Sequence, residues 1–498
     1  MATWLLIFMI CIFSGLFFRC NANLEEKQQI YKDIIGYWKE YIIHDNGKEA
    51  TALRKIILNN NGNLEQSIVY ELATQCRIWL NDDDISFKDG RLEFWRGEFQ
   101  GDMQADKNAI RLEYKQMDKP FLLERISDEK TKQLLDSLEN CIGQKYIYQM
   151  PSQLNDGWEC TNLDVQGINK TKIFELIEKI KNGKYKDLHS LLLVKDGKLV
   201  LEEYFAADGK ITGPFVNQVF RERVQMLASV TKSVNAALVG IAYDQGIIKT
   251  LDAPAFELFP EYSELIKDGK EQIQLHHLLT MSAGLEWNEL VIPYSNSRND
   301  AMVMRRRPDL IRYCLEKPMI QKPGEKFVYH TGLSVILGEI LKRSVGISGD
   351  KFAEKNLFKP LGISTYNWGF TPDSLLKTGG GLALRLRDMA KYGQLFLNNG
   401  KWGGEQIISE KWVKESTRPH ISTSSGNYGF QWWLRKFKIS GQDIDSFYAI
   451  GNAGQFIFIF PELEMVVVST AQNYDSGWSR RFYEMLGTYI LPAVIGGT

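Results

Sequence analysis

Two apolar hairpins lying far apart in the chain set the tightest limit on how it can fold. Ser190–Val194 and Leu199–Tyr204 flank the turn Lys195-Asp196-Gly197 and read as one hairpin. Phe456–Phe460 and Met465–Ser469, joined around Pro461-Glu462, read as the other. Between them run segments of helical period: Ser229–Gln245, His276–Thr280, Asp309–Leu315, Gly332–Arg343, Leu386–Asn398 and Ser409–Glu415. Ile173–Ile180 precedes the set and Arg480–Leu491 closes it. Strands at both ends with helices between them predict an α+β fold. Its antiparallel sheet is assembled from distant segments, flanked by helices and joined to an all-helical subregion.

The N-terminal part is patterned differently. Ala52–Leu58, Arg77–Leu80, Arg91–Trp95, Ile110–Tyr114 and Phe121–Arg125 alternate with period two, and Asn61-Gly62 and Asp89-Gly90 are hairpin turns. This predicts a small β-rich domain over 24–127, a barrel-like meander without any acid, base or metal-ligand constellation. Residues 128–160 are polar and mixed and read as a linker, leaving 161–498 as the second domain. Ahead of both, Trp4–Phe18 is almost unbroken apolar sequence, too short for a bilayer span of roughly 20 residues. With Cys20-Asn21-Ala22 as a small-residue cleavage site, residues 1–22 read as a signal peptide. The protein is therefore expected to be secreted or periplasmic, or membrane-anchored if the segment stays uncleaved. Export permits disulfides, and Cys141 and Cys160 either pair across the linker or remain free thiols.

With 60 Lys and Arg against 61 Asp and Glu, the chain has no basic footprint for nucleic acid. It lacks a Gly-x-Ser-x-Gly elbow, a His-Glu-x-x-His helix and a phosphate loop. The adjacent His276 and His277 point to different faces and read as structural. No metal or cofactor is implied.

The chemistry centres on Ser229-Val-Thr-Lys232. Residues three apart share one helix face, about 5–6 Å apart at Cβ, so the Lys232 amine reaches the Ser229 hydroxyl. Ser-x-x-Lys also occurs at Ser127, Ser348 and Ser374, but those copies sit in polar or turn-rich sequence. Only Ser229 opens an apolar, buried helix, whose first turn offers free N–H groups and a positive dipole end. With no histidine to activate the serine, a neutral lysine must serve, and burial disfavours its charged form. Tyr329, just ahead of the helix that starts near Gly332, is suited to share the proton transfer. Thr331 can cap that helix or bind substrate. Gly451-Asn452-Ala453-Gly454-Gln455 precedes the strand Phe456–Phe460. Glycine there lets a ligand approach the backbone, and the Gln455 N–H can join that of Ser229 in an oxyanion hole.

Ser229-Val-Thr-Lys232, Tyr329-His-Thr331 and Asn452-Ala-Gly454 together resemble the three motifs of the serine β-lactamase and penicillin-binding-protein superfamily. Leu275–Trp287, Gly379–Leu395 and Tyr428–Trp433 resemble its class C branch, which includes esterases and D-amino-acid peptidases. The resemblance implies a serine hydrolase over about 185–495 that cleaves an ester or amide through an acyl-enzyme. Ser229 is then the nucleophile, Lys232 and Tyr329 share the role of base, and Thr331, Asn452, Gly454 and Trp287 contact a small-molecule or peptide substrate. Two positions depart from the pattern. Thr331 stands where the family usually has asparagine, and Asn452 where it usually has lysine or histidine. An uncharged Asn452 argues against recognition of a substrate carboxylate, hence against β-lactams and D-Ala-D-Ala, and for an ester or amide lacking that anion. Trp287, Trp368, Trp432 and Trp433 are candidates for an apolar pocket wall. The competing expectation is a non-catalytic module that keeps the fold to bind a cell-wall peptide or a partner.

Overall fold

The computed structural model describes eight backbone strands within 36–125, and residues 146–205, 221–474 and 477–496 in full. The proposed signal peptide, Arg77–Leu80 and Cys141 lie outside the described residues. The chain divides into two compact units, Met1–Lys145 with Lys210–Phe220, and Tyr146–Gly209 with Arg221–Thr498.

The first unit contains β1 (Gly36–Ile43), β2 (Glu49–Leu58), β3 (Leu64–Tyr70), β4 (Ile85–Lys88), β5 (Arg91–Phe94), β6 (Phe99–Met103), β7 (Ala109–Tyr114) and β8 (Phe121–Arg125). Their order is β3-β2-β1-β8-β7-β6-β5-β4, antiparallel throughout. Apart from the β1–β8 pair, every pairing joins neighbours in sequence. Asp89-Gly90 falls between the paired residues Lys88 and Arg91.

The second unit is built on a nine-stranded sheet. Its first strands are β9 (Glu159–Cys160), β10 (Leu188–Lys195) and β11 (Lys198–Tyr204). A small separate sheet follows from β12 (Gln225–Met226), β13 (Tyr366–Trp368) and β14 (Leu382–Leu384), and a two-stranded hairpin from β15 (Lys401–Trp402) and β16 (Glu405–Gln406). The main sheet resumes with β17 (Ile421–Thr423), β18 (Gly426–Tyr428), β19 (Trp433–Ile439), β20 (Gln442–Gly451), β21 (Gln455–Phe460) and β22 (Met465–Ala471). Its order is β17-β18-β19-β20-β21-β22-β10-β11-β9, so β22 from late in the chain pairs with β10 from its middle. All neighbours are antiparallel except β9 and β11.

The helices of this unit include α1 (Lys170–Lys181), α2 (Val230–Asp244), α3 (Thr331–Val345), α4 (Leu386–Leu397), α5 (Trp478–Met485) and α6 (Leu491–Ile495). After Gln455, β21 is apolar at every position, because both faces are covered. Ile457 and, on β22, Val466 meet Gly393 of α4. Phe456 and Phe458 turn the other way, against Phe482 of α5, with centroids at 4.4 and 5.9 Å. The alternation follows from the two-residue period of a strand. Among the described residues no helix is long and apolar enough to cross a membrane.

Residues 146–160, expected within the linker, pack onto the second unit instead. Tyr146 and Trp158 are buried, the Tyr146 hydroxyl donates to Glu203 at 2.5 Å, and the Trp158 indole donates to the Arg387 carbonyl. Cys160 is a free thiol whose S–H reaches the Ser152 carbonyl.

Candidate active site

Helix α2 is buried along almost its whole length, from Val230 to Ala242, as its small and apolar residues require. Its start is fixed from outside. The Leu227 N–H donates to the Leu382 carbonyl, and the Leu382 N–H donates to the Thr231 hydroxyl, so β14 holds both sides of the turn. Within it Ala228 takes a left-handed conformation, φ 47°, which costs a residue with a side chain about 1–3 kcal/mol. Such strain is typical of a turn that must present the next residue, and Ser229 is only half-buried. Its side chain makes no cap to the helix and stays available.

Lys232 lies one turn further on, almost completely buried, with Nζ 2.8 Å from Ser229 Oγ and 2.6 Å from the Gly379 carbonyl oxygen. Burial pulls its pKa down to about 8; the charge of Glu289 raises it and that of Arg305 lowers it further. At neutral pH an appreciable fraction of this amine is therefore an unprotonated base.

Tyr329 comes from the segment ahead of α3. The Lys232 ammonium sits 5.1 Å from the centre of its ring. Burial pushes the phenol pKa up, the Glu289 charge adds to this, and a hydrogen bond with Ser229 acts the other way. Tyr329 thus holds its proton where Lys232 tends to lose one. Ser229, Lys232 and Tyr329 meet at one point.

The remaining predicted residues are placed as follows. Gly451, at the end of β20, lies so close to the turn ahead of Ser229 that a Cβ there would be 2.1 Å from the Leu227 carbonyl oxygen. This brings the β20–β21 turn alongside Ala228. In that turn Asn452 Oδ1 accepts from the Ala453 N–H at 2.9 Å, and Gly454 adopts φ +101° against Trp478. Gln455 begins β21, and its side-chain N–H donates to the Ala471 carbonyl at 2.6 Å.

Thr331 is the first residue of α3, not its cap; His330 caps the helix, its Nδ1 accepting from the Leu333 N–H. The Thr331 hydroxyl donates to Glu289 and is buried, so it is not open to a substrate. Trp287 is likewise internal, stacked on His330 at 3.7 Å with its indole donating to Glu289. Trp368 and Trp432 are core residues. Trp433 alone of the four tryptophans is partly exposed, and it stacks on Tyr329 at 5.8 Å.

Glu289 belongs to no sequence motif. Only its place near Trp287, in a segment resembling the class C branch, pointed to this neighbourhood.

The family model described as Beta-lactamase matches residues 189–486, a span holding all of these groups. The chain belongs to the beta-lactamase family. The 6-aminohexanoate-dimer hydrolase of Paenarthrobacter ureafaciens is 26% identical over 319 residues, covering 57% of this chain and 72% of that protein. A protein of Salmonella heidelberg (strain SL476), described provisionally as a D-alanyl-D-alanine carboxypeptidase, is 24% identical over 298 residues, 49% of this chain and 67% of its own length. A solved structure from Bacillus anthracis, provisionally a 6-aminohexanoate-dimer hydrolase, superposes with a TM-score of 0.50 at 21% identity. It covers 70% of this chain and 87% of that one, and the likeness shows the fold.

Proposed function

We propose that this beta-lactamase-family protein is a serine hydrolase that cleaves an ester or amide through an acyl-enzyme on Ser229. The observation that carries the reading is a fully buried lysine, depressed to about 8, at 2.8 Å from the hydroxyl of Ser229. Ser229 Oγ attacks the carbonyl carbon while its proton passes to Lys232 Nζ. The backbone N–H groups of Ser229 and Gln455 receive the oxyanion. The bond to the leaving group then breaks, and that group takes its proton from the Tyr329 phenol, which Lys232 replenishes. Water attacks the acyl ester by the reverse route and frees Ser229.

Two features around Ser229 support a substrate class. Asn452 brings no charge, and Trp433 beside Tyr329 offers an aromatic surface, which suits an uncharged acyl group. The relatives named for an amide dimer and for a D-Ala-D-Ala bond extend the choice to amides. Residues 1–22 would direct the protein out of the cytoplasm.

The test is labelling with a fluorophosphonate and turnover of a short-chain nitrophenyl ester, beside Ser229→Ala. The variant is expected to lose both. Labelling that persists without Ser229 removes it from the role, and a wild type that never labels favours a binding module. Of the ester, nitrocefin and a D-Ala-D-Ala peptide, the ester is expected to turn over fastest. A clear preference for nitrocefin overturns the argument from Asn452.

A further inference from the structure

Glu289 is nearly inaccessible to solvent, 2% exposed, and both its oxygens are fully engaged. Oε2 accepts from the Trp287 indole N–H and the Thr331 backbone N–H, each at 2.7 Å. Oε1 accepts from the Tyr294 hydroxyl at 2.5 Å and from the Thr331 hydroxyl. Its own carbonyl is held by the Asn299 amide at 2.9 Å. Among the described residues none of its partners is a cation, which is unusual for a carboxylate so deeply buried.

The contacts converge on Tyr329. Of the two residues that follow it, His330 is clamped by the Trp287 ring and Thr331 by two hydrogen bonds to Glu289. The segment Trp287–Glu289 thereby fixes the turn from which Tyr329 projects. The carboxylate also sits at the N-terminal end of α3, where the exposed N–H groups favour an anion.

We propose that Glu289 is a positioning residue of the hydrolase, holding Tyr329 in register and lending an uncompensated negative charge to the ammonium that forms on Lys232. The inference rests on the Ser229 reading above. When Lys232 takes the Ser229 proton it becomes a cation in a dry site, and a fixed anion nearby stabilises that state. The groups facing Lys232 are Ser229, the Tyr329 ring, the Gly379 carbonyl, the His330 imidazole, which burial keeps neutral, and the charges of Glu289 and Arg305. Those facing Glu289 include Tyr294, Tyr329, Tyr428 and the Cys314 thiol, all without positive charge, and Lys232, whose ammonium it favours.

Glu289→Gln separates charge from shape. The amide oxygen can keep the two obligate donors, Trp287 Nε1 and Thr331 N, while its NH₂ donates to the Tyr294 and Thr331 hydroxyls, which are able to accept. With the nitrophenyl ester, kcat/KM is measured from pH 5 to 10. Removing an anion lowers the Lys232 pKa, so the acid limb of Glu289→Gln is expected to move down by roughly one pH unit. Its maximal kcat is expected to fall about tenfold with that stabilisation gone. Thr331→Val tests the tether with the charge in place; kcat is expected to fall roughly three- to tenfold at unchanged KM, with the limb where the wild type has it. An acid limb of Glu289→Gln at the wild-type pH, or a Thr331→Val enzyme turning over at the wild-type rate, overturns the proposal. If Ser229→Ala retains turnover, the hydrolase reading itself has failed. If Ser229→Ala is inactive but Glu289→Gln titrates like the wild type, only the role of Glu289 falls.

Discussion

Two buried carboxylates in the second unit are treated in opposite ways. Glu202 on β11 meets Arg387 through two hydrogen bonds of 2.8 and 2.7 Å, Arg221 at 3.1 Å and the Tyr204 hydroxyl at 2.9 Å. Burial pushes its pKa up, yet the two arginines more than offset this and hold it below the usual carboxylate range. Its field ends on its partners. The same Arg387 reaches Asp156 and the Ser152 carbonyl, so the cluster ties residues 152–158 to β11 and α4. Glu289 has only neutral donors, and its field is felt at Lys232 and Tyr329. A compensated buried charge is architecture; an uncompensated one acts on its neighbours.

The sharpest way to break this contrast is at the amine itself. Lys232→Ala is expected to lower kcat roughly 10²–10⁴-fold and to erase the acid limb near pH 8, read from kcat/KM against pH. A limb that survives would belong to another group. Arg387→Met should act on stability instead, leaving Glu202 buried without its main partner at a cost of about 3–5 kcal/mol in denaturant unfolding. The acid limb of the folded fraction should not move. A shift there would mean that the Glu202 cluster also reaches the active site.

Glu203, next along β11, sharpens the comparison with a third case. Burial is the main reason its pKa rises from an ordinary 4.5 to about 7, against the Tyr146 hydrogen bond and with help from Glu202. The folded protein therefore binds this proton more tightly than the unfolded chain. Its contribution is full below about pH 4.5 and is lost as pH rises through 7. Glu203→Gln is expected to gain about 1–3 kcal/mol at pH 8.5 and little at pH 5, measured by thermal unfolding at both. The smallest effect is expected at Arg305, an exposed cation that lowers the Lys232 pKa. Arg305→Gln should move the acid limb up by a few tenths of a unit, less at high salt. Movement in the opposite sense would contradict the electrostatic account.

What could be read in the sequence depended on how local the cause was. Ser229 and Lys232 stand one helical turn apart, and Tyr329 lies beside a visible helix start, so local pattern marks the three residues that meet. It does not mark Glu289, because its meaning comes from a hydrogen bond to a residue 42 positions away. The same applies to Tyr146 and Trp158, whose partners lie in β11 and α4 and turn a polar-looking stretch into packed structure. A hydroxyl at a helix start, as at Thr331, has several uses, and contact with Glu289 selects one. Trp432 and Trp433 are neighbours, and the buried and exposed sides of the chain separate them. The β19–β20 hairpin is not legible in the sequence, since Lys436, Lys438, Asp443 and Asp445 make it look like a charged loop. The helices and the two apolar hairpins were plain because their periodicity lies within each segment.

The pairing of β22 with β10 has a consequence for how the protein is made. On the ribosome, β10 emerges long before its partner, and everything from Asp196 to Glu464 must be synthesised first. At roughly 5–20 residues per second this leaves an apolar strand without a neighbour on that edge for on the order of tens of seconds. Helix α2, carrying Ser229 and Lys232, emerges during the same interval, ahead of the sheet that will pack beneath it. During that window a chaperone or a translation pause would keep the open edge of β10 from pairing with another chain.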